Sequence, residues 1–307
     1  MIWANLLHLS YNMWGDWDNP NSPSVYHNMK PFLRFDETLW SDLLKASASV
    51  GMNMIVIDLG DGVKYQSHPE IAVQNAWSTQ RLRDEIKHMR DMGLEAIPKL
   101  NFSTCHDTWL GPYSHMVSTD KYYAVCKDLI AEVCELFDKP RFFHIGMDEE
   151  NASLQRHKEF AVIRQYDLWW RDLNFYVAEV ERGGSRAWMW SDYVWEHPDA
   201  FYQKMSKKVV QSNWYYRAEF GPDLPRVKEY IRLGNEGFDQ IPTMSNWTTT
   251  DNITNGVAFC QKYCPKQHLL GFIVTPWRPT LEETRPRHME AIEYFGKAIK
   301  AFNENRA

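Results

Sequence analysis

The chain has little of what marks a membrane, nucleic-acid-binding or disulfide-stabilised protein. No uninterrupted apolar run approaches the ~20 residues needed to cross a bilayer. No basic tract is long enough to follow a phosphate backbone, the cluster from Lys204 to Lys208 is interrupted, and the formal net charge is -6, so no nucleic-acid partner is expected. The five cysteines are odd in number and widely spaced, which excludes a disulfide framework and predicts free thiols. Cys260 and Cys264, with His268 beyond them, have no second pair to complete a metal site. The start, Met1-Ile2-Trp3-Ala4-Asn5, lacks the basic residues and apolar segment of a secretory signal. As written the chain reads as cytoplasmic; a removed leader would make it secreted or periplasmic. A linker-like Gly/Ser/Pro tract, an internal repeat and a glycine-rich phosphate loop after the first strand are also missing. One domain over residues 1–307 is therefore expected.

What is there is a soluble, core-forming composition: 307 residues, 44% hydrophobic and 24% charged. Aromatics reach 14%, with 14 Trp, which serve equally as core filler or as flat platforms for sugar rings. Strand-like and helix-like segments alternate. Strands are predicted at Leu6–Leu9, Met52–Leu59, Ala96–Leu100, Phe142–Gly146, Arg186–Trp190, Lys208–Ser212, Gln240–Ser245 and Leu269–Thr275. Met52–Leu59 is almost continuously apolar, as suits a parallel strand buried on both faces. Helical spacing fills the intervals, including a mostly helical stretch from Ser153 to Glu181. Eight alternations in about 300 residues favour a single (β/α)8 barrel, a fold that typically needs roughly 250 residues, with a doubly wound open sheet as the alternative.

In such a barrel the residues just past each strand converge on one mouth. Those positions carry His8, Asn12 and Trp14; Asp58 and Asp61; Asn101 and His106; His144, Asp148 and Glu149; Trp190 and Asp192; Asn213 and Trp214; Asn246 and Trp247; Trp277 and Arg278. Acids, amides and indoles at nearly every strand end suit a neutral, polyhydroxylated ligand. Within this set, Phe142-Phe143-His144-Ile145-Gly146-Met147-Asp148-Glu149 is an apolar strand that ends at a glycine and delivers two adjacent acids. Glycosidic-bond cleavage uses such a pair, one acid kept protonated and the other ionised. The plainer alternative is a helix start with Asp148 as its cap. Asp58 is readable as a buried partner of Lys99, and Asp61 as a turn residue before Gly62. His144 is readable as a core histidine.

Phe143-His144-Ile145-Gly146-Met147-Asp148-Glu149 resembles the His-x-Gly-Gly-Asp-Glu signature of family 20 glycoside hydrolases, the β-N-acetylhexosaminidases. Asn53 to Asp61 followed by Ser67-His68-Pro69, Ile97-Pro98-Lys99-Leu100-Asn101 and Trp190-Ser191-Asp192 are similar to further blocks of that family, in order. The resemblance implies a retaining, exo-acting enzyme in which Glu149 is the general acid/base and Asp148 orients the substrate's 2-acetamido group. It also implies that Trp190, Asp192, Trp214 and Trp277 line the sugar pocket, while the strand-end and loop positions themselves add His144, Asp61, His106, Trp247 and Arg278 as candidate sugar contacts. The expected partner is a carbohydrate substrate, with no metal or organic cofactor and no membrane; a homodimer is left open. The chain departs from the family at a first-strand Arg, at Lys99 and Asn101, and at Met147. These departures keep two other readings in view, a two-carboxylate glycosidase pairing Glu149 with Asp192 or Asp61, and a sugar-binding barrel without catalysis. A metal-dependent isomerase using His8, His144, Asp148 and Glu149 is a remoter alternative.

Overall fold

A strand buried on both faces needs apolar residues along its length, and the strand Met54–Asp58 supplies them up to its last residue, the acid Asp58. Met54 and Val56 point to one cluster of buried side chains and Ile55 and Ile57 to another, the first inside a barrel and the second under its helices. The computed structural model describes residues 1–22, 24–156 and 158–305. Eight parallel strands form the barrel: β1 (Ile2–His8), β2 (Met54–Asp58), β3 (Glu95–Lys99), β4 (Phe142–His144), β5 (Arg186–Trp190), β6 (Val210–Ser212), β7 (Thr243–Met244) and β8 (Gly271–Val274). Neighbours pair in the order β6-β5-β4-β3-β2-β1-β8-β7. Parallel bridges from Gln211 to Gln240 and from Trp214 to Thr243 join β6 to β7 and close the ring. The predicted (β/α)8 barrel is thus the fold, with strand ends within a few residues of those expected.

The outer layer comprises α1 (Glu37–Ser49), α2 (Thr79–Asp91), α3 (Asp120–Leu136), α4 (Tyr166–Arg182), α5 (Tyr193–Glu196), α6 (Pro198–Lys204), α7 (Lys228–Asn235), α8 (Asp251–Tyr263) and α9 (Arg285–Glu304). Several starts follow from side-chain caps: Asp36, Ser78 and Thr119 accept from Leu39, Arg81 and Tyr122 backbone N–H groups. One expectation needs correction. Helix α4 begins at Tyr166, not Ser153, and the described residues before it form turns. Gln155 clasps Val162 through both its amide oxygen and its amide nitrogen, each at 2.7 Å, and Arg164 binds Glu150 at 2.8 Å. Such side-chain bonds to nearby backbone compete with the helical ladder and hold a loop instead.

The lower barrel interior is filled by Ile2, Ala4, Met54, Ile97, Phe142, Trp188 and Val210, so it is a packed core and not a pore. Towards the mouth the filling turns polar. Lys99, fully buried, donates to Asp58 at 2.5 Å, and His8 Nδ1 stands 3.3 Å from the same Asp58 oxygen. The expected Asp58–Lys99 pair is therefore present, beneath the floor of the mouth.

Candidate active site

The site starts with a backbone device at the end of β4. Gly146, Met147 and Glu149 have φ values of 71°, 75° and 57°. A Cβ on Gly146 would lie 1.8 Å from Asn101 Oδ1, so only glycine lets Asn101 approach. Asn101 then organises the turn. Its Oδ1 accepts from the N–H groups of Met147 (3.1 Å) and Ser103 (3.0 Å), and its Nδ2 donates to Asp148 Oδ1 at 2.8 Å. Ser103 donates to the Asp148 carbonyl at 2.5 Å. Left-handed backbone at a non-glycine residue costs on the order of 1–3 kcal/mol and persists where surroundings enforce it.

The turn gives the two neighbouring acids different surroundings. Asp148 is buried, while the Glu149 side chain retains 28% exposure. His106 stands between them, Nδ1 at 3.3 Å from Asp148 and Nε2 at 3.7 Å from Glu149, as an ion-pairing group and not as an aligned hydrogen bond. Burial pushes the Asp148 carboxyl up, but His106, Lys99 and the Asn101 amide outweigh it and hold the group well below the usual range. Burial raises Glu149, His106 opposes, and the Asp148 charge raises it further, so its net direction is upward. Asp148 is thus the more acidic member of the pair, and Glu149 holds its proton to higher pH.

Asp192 lies against the pair. Its Oδ2 accepts from the Glu149 N–H at 2.8 Å and its Oδ1 from the Trp214 indole at 3.3 Å. Burial first, then the Asp148 charge, push its carboxyl up to about 7.

Two cavities meet at Glu149. One, of about 220 Å³, is lined by Trp14, His27, Asp148, Glu149, Trp214, Tyr216, Trp247 and Trp277. Trp14 stacks on His27 at 4.7 Å and meets His106 edge-on at 4.6 Å, and Trp214 stacks on Tyr216 at 5.1 Å. The Tyr216 hydroxyl accepts from the Trp277 indole at 2.9 Å, which leaves its own proton for a ligand. The other cavity, of about 420 Å³, is bordered by Glu149, Asp192, Trp195, Trp214 and Arg226 among others.

Of the residues singled out from the sequence, Asp148, Glu149, His106, Asp192, Trp214, Trp247 and Trp277 come together here. Arg278 stands behind them, its guanidinium 4.8 Å over the Trp247 ring and bonded to the Trp277 carbonyl at 2.9 Å. Three others do not border either cavity. His144 is wholly buried, its Nδ1 accepting from the Gly146 N–H at 3.1 Å and its ring 4.3 Å from Trp190. Trp190 fills the barrel interior with it. Asp61 is buried with Ser10 and Asn12, the amide of the latter at 2.9 Å, and burial lifts its carboxyl to about 6. His27, Ser103, Trp195, Tyr216 and Arg226 were not selected from the sequence. Tyr216 had a signal, since it lies two residues beyond a strand-end Trp.

His106, Asp148 and Glu149 also offer ligand atoms that all lie within 4.8 Å of one another. No helix is long and apolar enough to cross a membrane among the described residues.

No family model matches the sequence. Solved structures similar to the chain are a β-N-acetylhexosaminidase from Bacteroides fragilis, at TM-score 0.65 and 14% identity, covering 100% of this chain and 71% of that one. A second is the GH20 exo β-N-acetylglucosaminidase of Vibrio harveyi in complex with N-acetylglucosamine, at TM-score 0.62 and 13% identity, covering 98% and 57%. A third is the GH20 β-N-acetylhexosaminidase of Streptomyces coelicolor, at TM-score 0.64 and 12% identity, covering 95% and 63%. The chain thus shares the barrel fold of these proteins and spans from 57% to 71% of their lengths.

Proposed function

We propose that the chain is a glycoside hydrolase acting on terminal β-linked N-acetylhexosamines with retention of configuration. The observation that carries this reading is the contrast at the mouth: Asp148, whose carboxyl is held low, beside Glu149, whose carboxyl is pushed up, both facing a hollow lined by four tryptophans. The fold shared with solved hexosaminidases supports it.

In this reading the sugar stacks on the indoles and Glu149 gives its proton to the glycosidic oxygen as the C1–O bond breaks. The substrate's own acetamido oxygen attacks C1 from the opposite face, so no enzyme nucleophile is required. Asp148, fixed by Asn101 and His106, accepts from the acetamido N–H and balances the positive charge that develops on the cyclised group. Tyr216, whose hydroxyl accepts from the Trp277 indole, gives its own proton to the acetamido oxygen as a hydrogen bond in this reading. Water then opens the intermediate, with Glu149 taking its proton back. A rival in which Asp192 is an ionised nucleophile fits less well, because burial and the neighbouring Asp148 charge both disfavour its anion.

The native protein should hydrolyse 4-nitrophenyl N-acetyl-β-glucosaminide or its galacto epimer, and Glu149→Gln should lower kcat about 10²- to 10⁴-fold. Unchanged turnover in that variant would reject the assignment. Cleavage of plain but not N-acetylated glycosides would move the reading to a two-carboxylate enzyme, and binding without turnover to a sugar-binding barrel.

A further inference from the structure

Across Glu149 from the tryptophan hollow, the larger cavity presents a cation that the proposed chemistry leaves unused. Arg226 forms no ion pair among the described residues. Its guanidinium lies 4.0 Å over the Trp195 ring and 5.7 Å from the Trp214 ring. Trp195 is fixed in turn, its indole donating to Asn213 Oδ1 at 2.9 Å, while the Asn213 amide donates to the Arg226 carbonyl at 2.8 Å. Ring, amide and backbone therefore close on one another and hold the guanidinium over the ring, with its N–H groups making no hydrogen bond or ion pair among the described residues. The cavity's other arginine is different: Arg164 is buried against Glu150, with contacts at 2.8 and 2.9 Å. That pairing also removes Glu150 as a competitor for Arg226. Glu196, on the exposed rim, makes no ion pair with it among the described residues.

Glu149 and Trp214 border both cavities. A group bonded across Glu149 from a sugar seated in the smaller hollow extends into the larger one, past Arg226. Resting on the glycosidase reading above, we propose that Arg226 makes the enzyme selective for substrates whose leaving group carries an anionic substituent, such as the carboxylate of an acidic sugar. A planar guanidinium with free edge donors matches a carboxylate through two parallel hydrogen bonds, which a neutral hydroxyl or amide cannot reproduce. Because Arg226 is partly in water, the preference is modest and sensitive to salt.

The test uses two N-acetyl-β-glucosaminides with nitrophenol leaving groups of matched acidity, one bearing a ring carboxylate and the other a carboxamide of the same size. The native protein should favour the carboxylate in kcat/KM by roughly fivefold at low salt, the upper range for an exposed charge pair. That ratio should fall towards one in high salt and in Arg226→Gln, and be partly kept in Arg226→Lys. A native ratio near one, a ratio indifferent to salt, or one that survives Arg226→Gln would overturn the inference while leaving the glycosidase reading intact. Failure to cleave either compound would reject that reading and this inference with it.

Discussion

Asp148 and Glu149 are adjacent in sequence yet sit on opposite sides of the ordinary carboxyl range. Asp148 is held below its ordinary 3.8 and Glu149 above its ordinary 4.5. If the first must be ionised and the second protonated, kcat/KM against pH should be bell-shaped. Its acid limb should lie below 3.8 and its alkaline limb above 4.5. A profile falling on the acid side of neutrality and rising above it would contradict the assignment. Asp192 makes a separate prediction, for stability. Its folded carboxyl at about 7 lies above the ordinary 3.8, so the folded state holds the extra proton between those values. Its stabilising effect is complete below pH 3.8 and is lost as pH rises through 7. Asp192→Asn, which cannot ionise, should therefore gain Tm relative to the native protein as pH goes from 5 to 8. A constant difference across that range would show that the carboxyl titrates normally.

At the scale of the element, the end of β4 is the most demanding join in the barrel. Gly146→Ala places a methyl carbon on the Asn101 side chain in a backbone region that disfavours it, so Asn101 must leave Met147, Ser103 and Asp148. The expected cost is about 2–4 kcal/mol in denaturant unfolding, with a fall in kcat as Asp148 loses its anchor. Stability within 0.5 kcal/mol of native would mean that the turn relaxes. The apolar strand and the glycine that make this join are legible in the sequence, because strand periodicity and a glycine before paired acids are local signals. The non-helical course of the segment before Tyr166 is not, since it depends on Gln155 and Arg164 finding partners that a helix would deny them. His106 is legible as a residue type on a loop but not as the group between two acids. Tyr216 and Arg226 are placed by long connections after β6, whose path is set by Asn213 and by ring stacking and not by any repeat.

Over the whole molecule, alternating patterns predicted the barrel because burial on both faces of each strand leaves few other folds. The Asp58–Lys99 pair was equally legible, but His8 beside it in that layer of charge was not. Lys99 and Asp58 reach across from adjacent strands under the mouth, and removing one strands the other in an apolar interior. Lys99→Met should destabilise by about 3–5 kcal/mol, whereas Lys99→Met with Asp58→Leu should recover most of that. Equal loss in the single and double variants would mean that the pair is not the cause. Above that layer, Glu149 and Trp214 form a wall one side chain thick between two unequal rooms. Such a wall cannot be moved for one tenant alone: enlarging the smaller room takes space from the larger, so if the two rooms hold the two halves of a glycoside as proposed, broader tastes for each half are opposed demands on this scaffold.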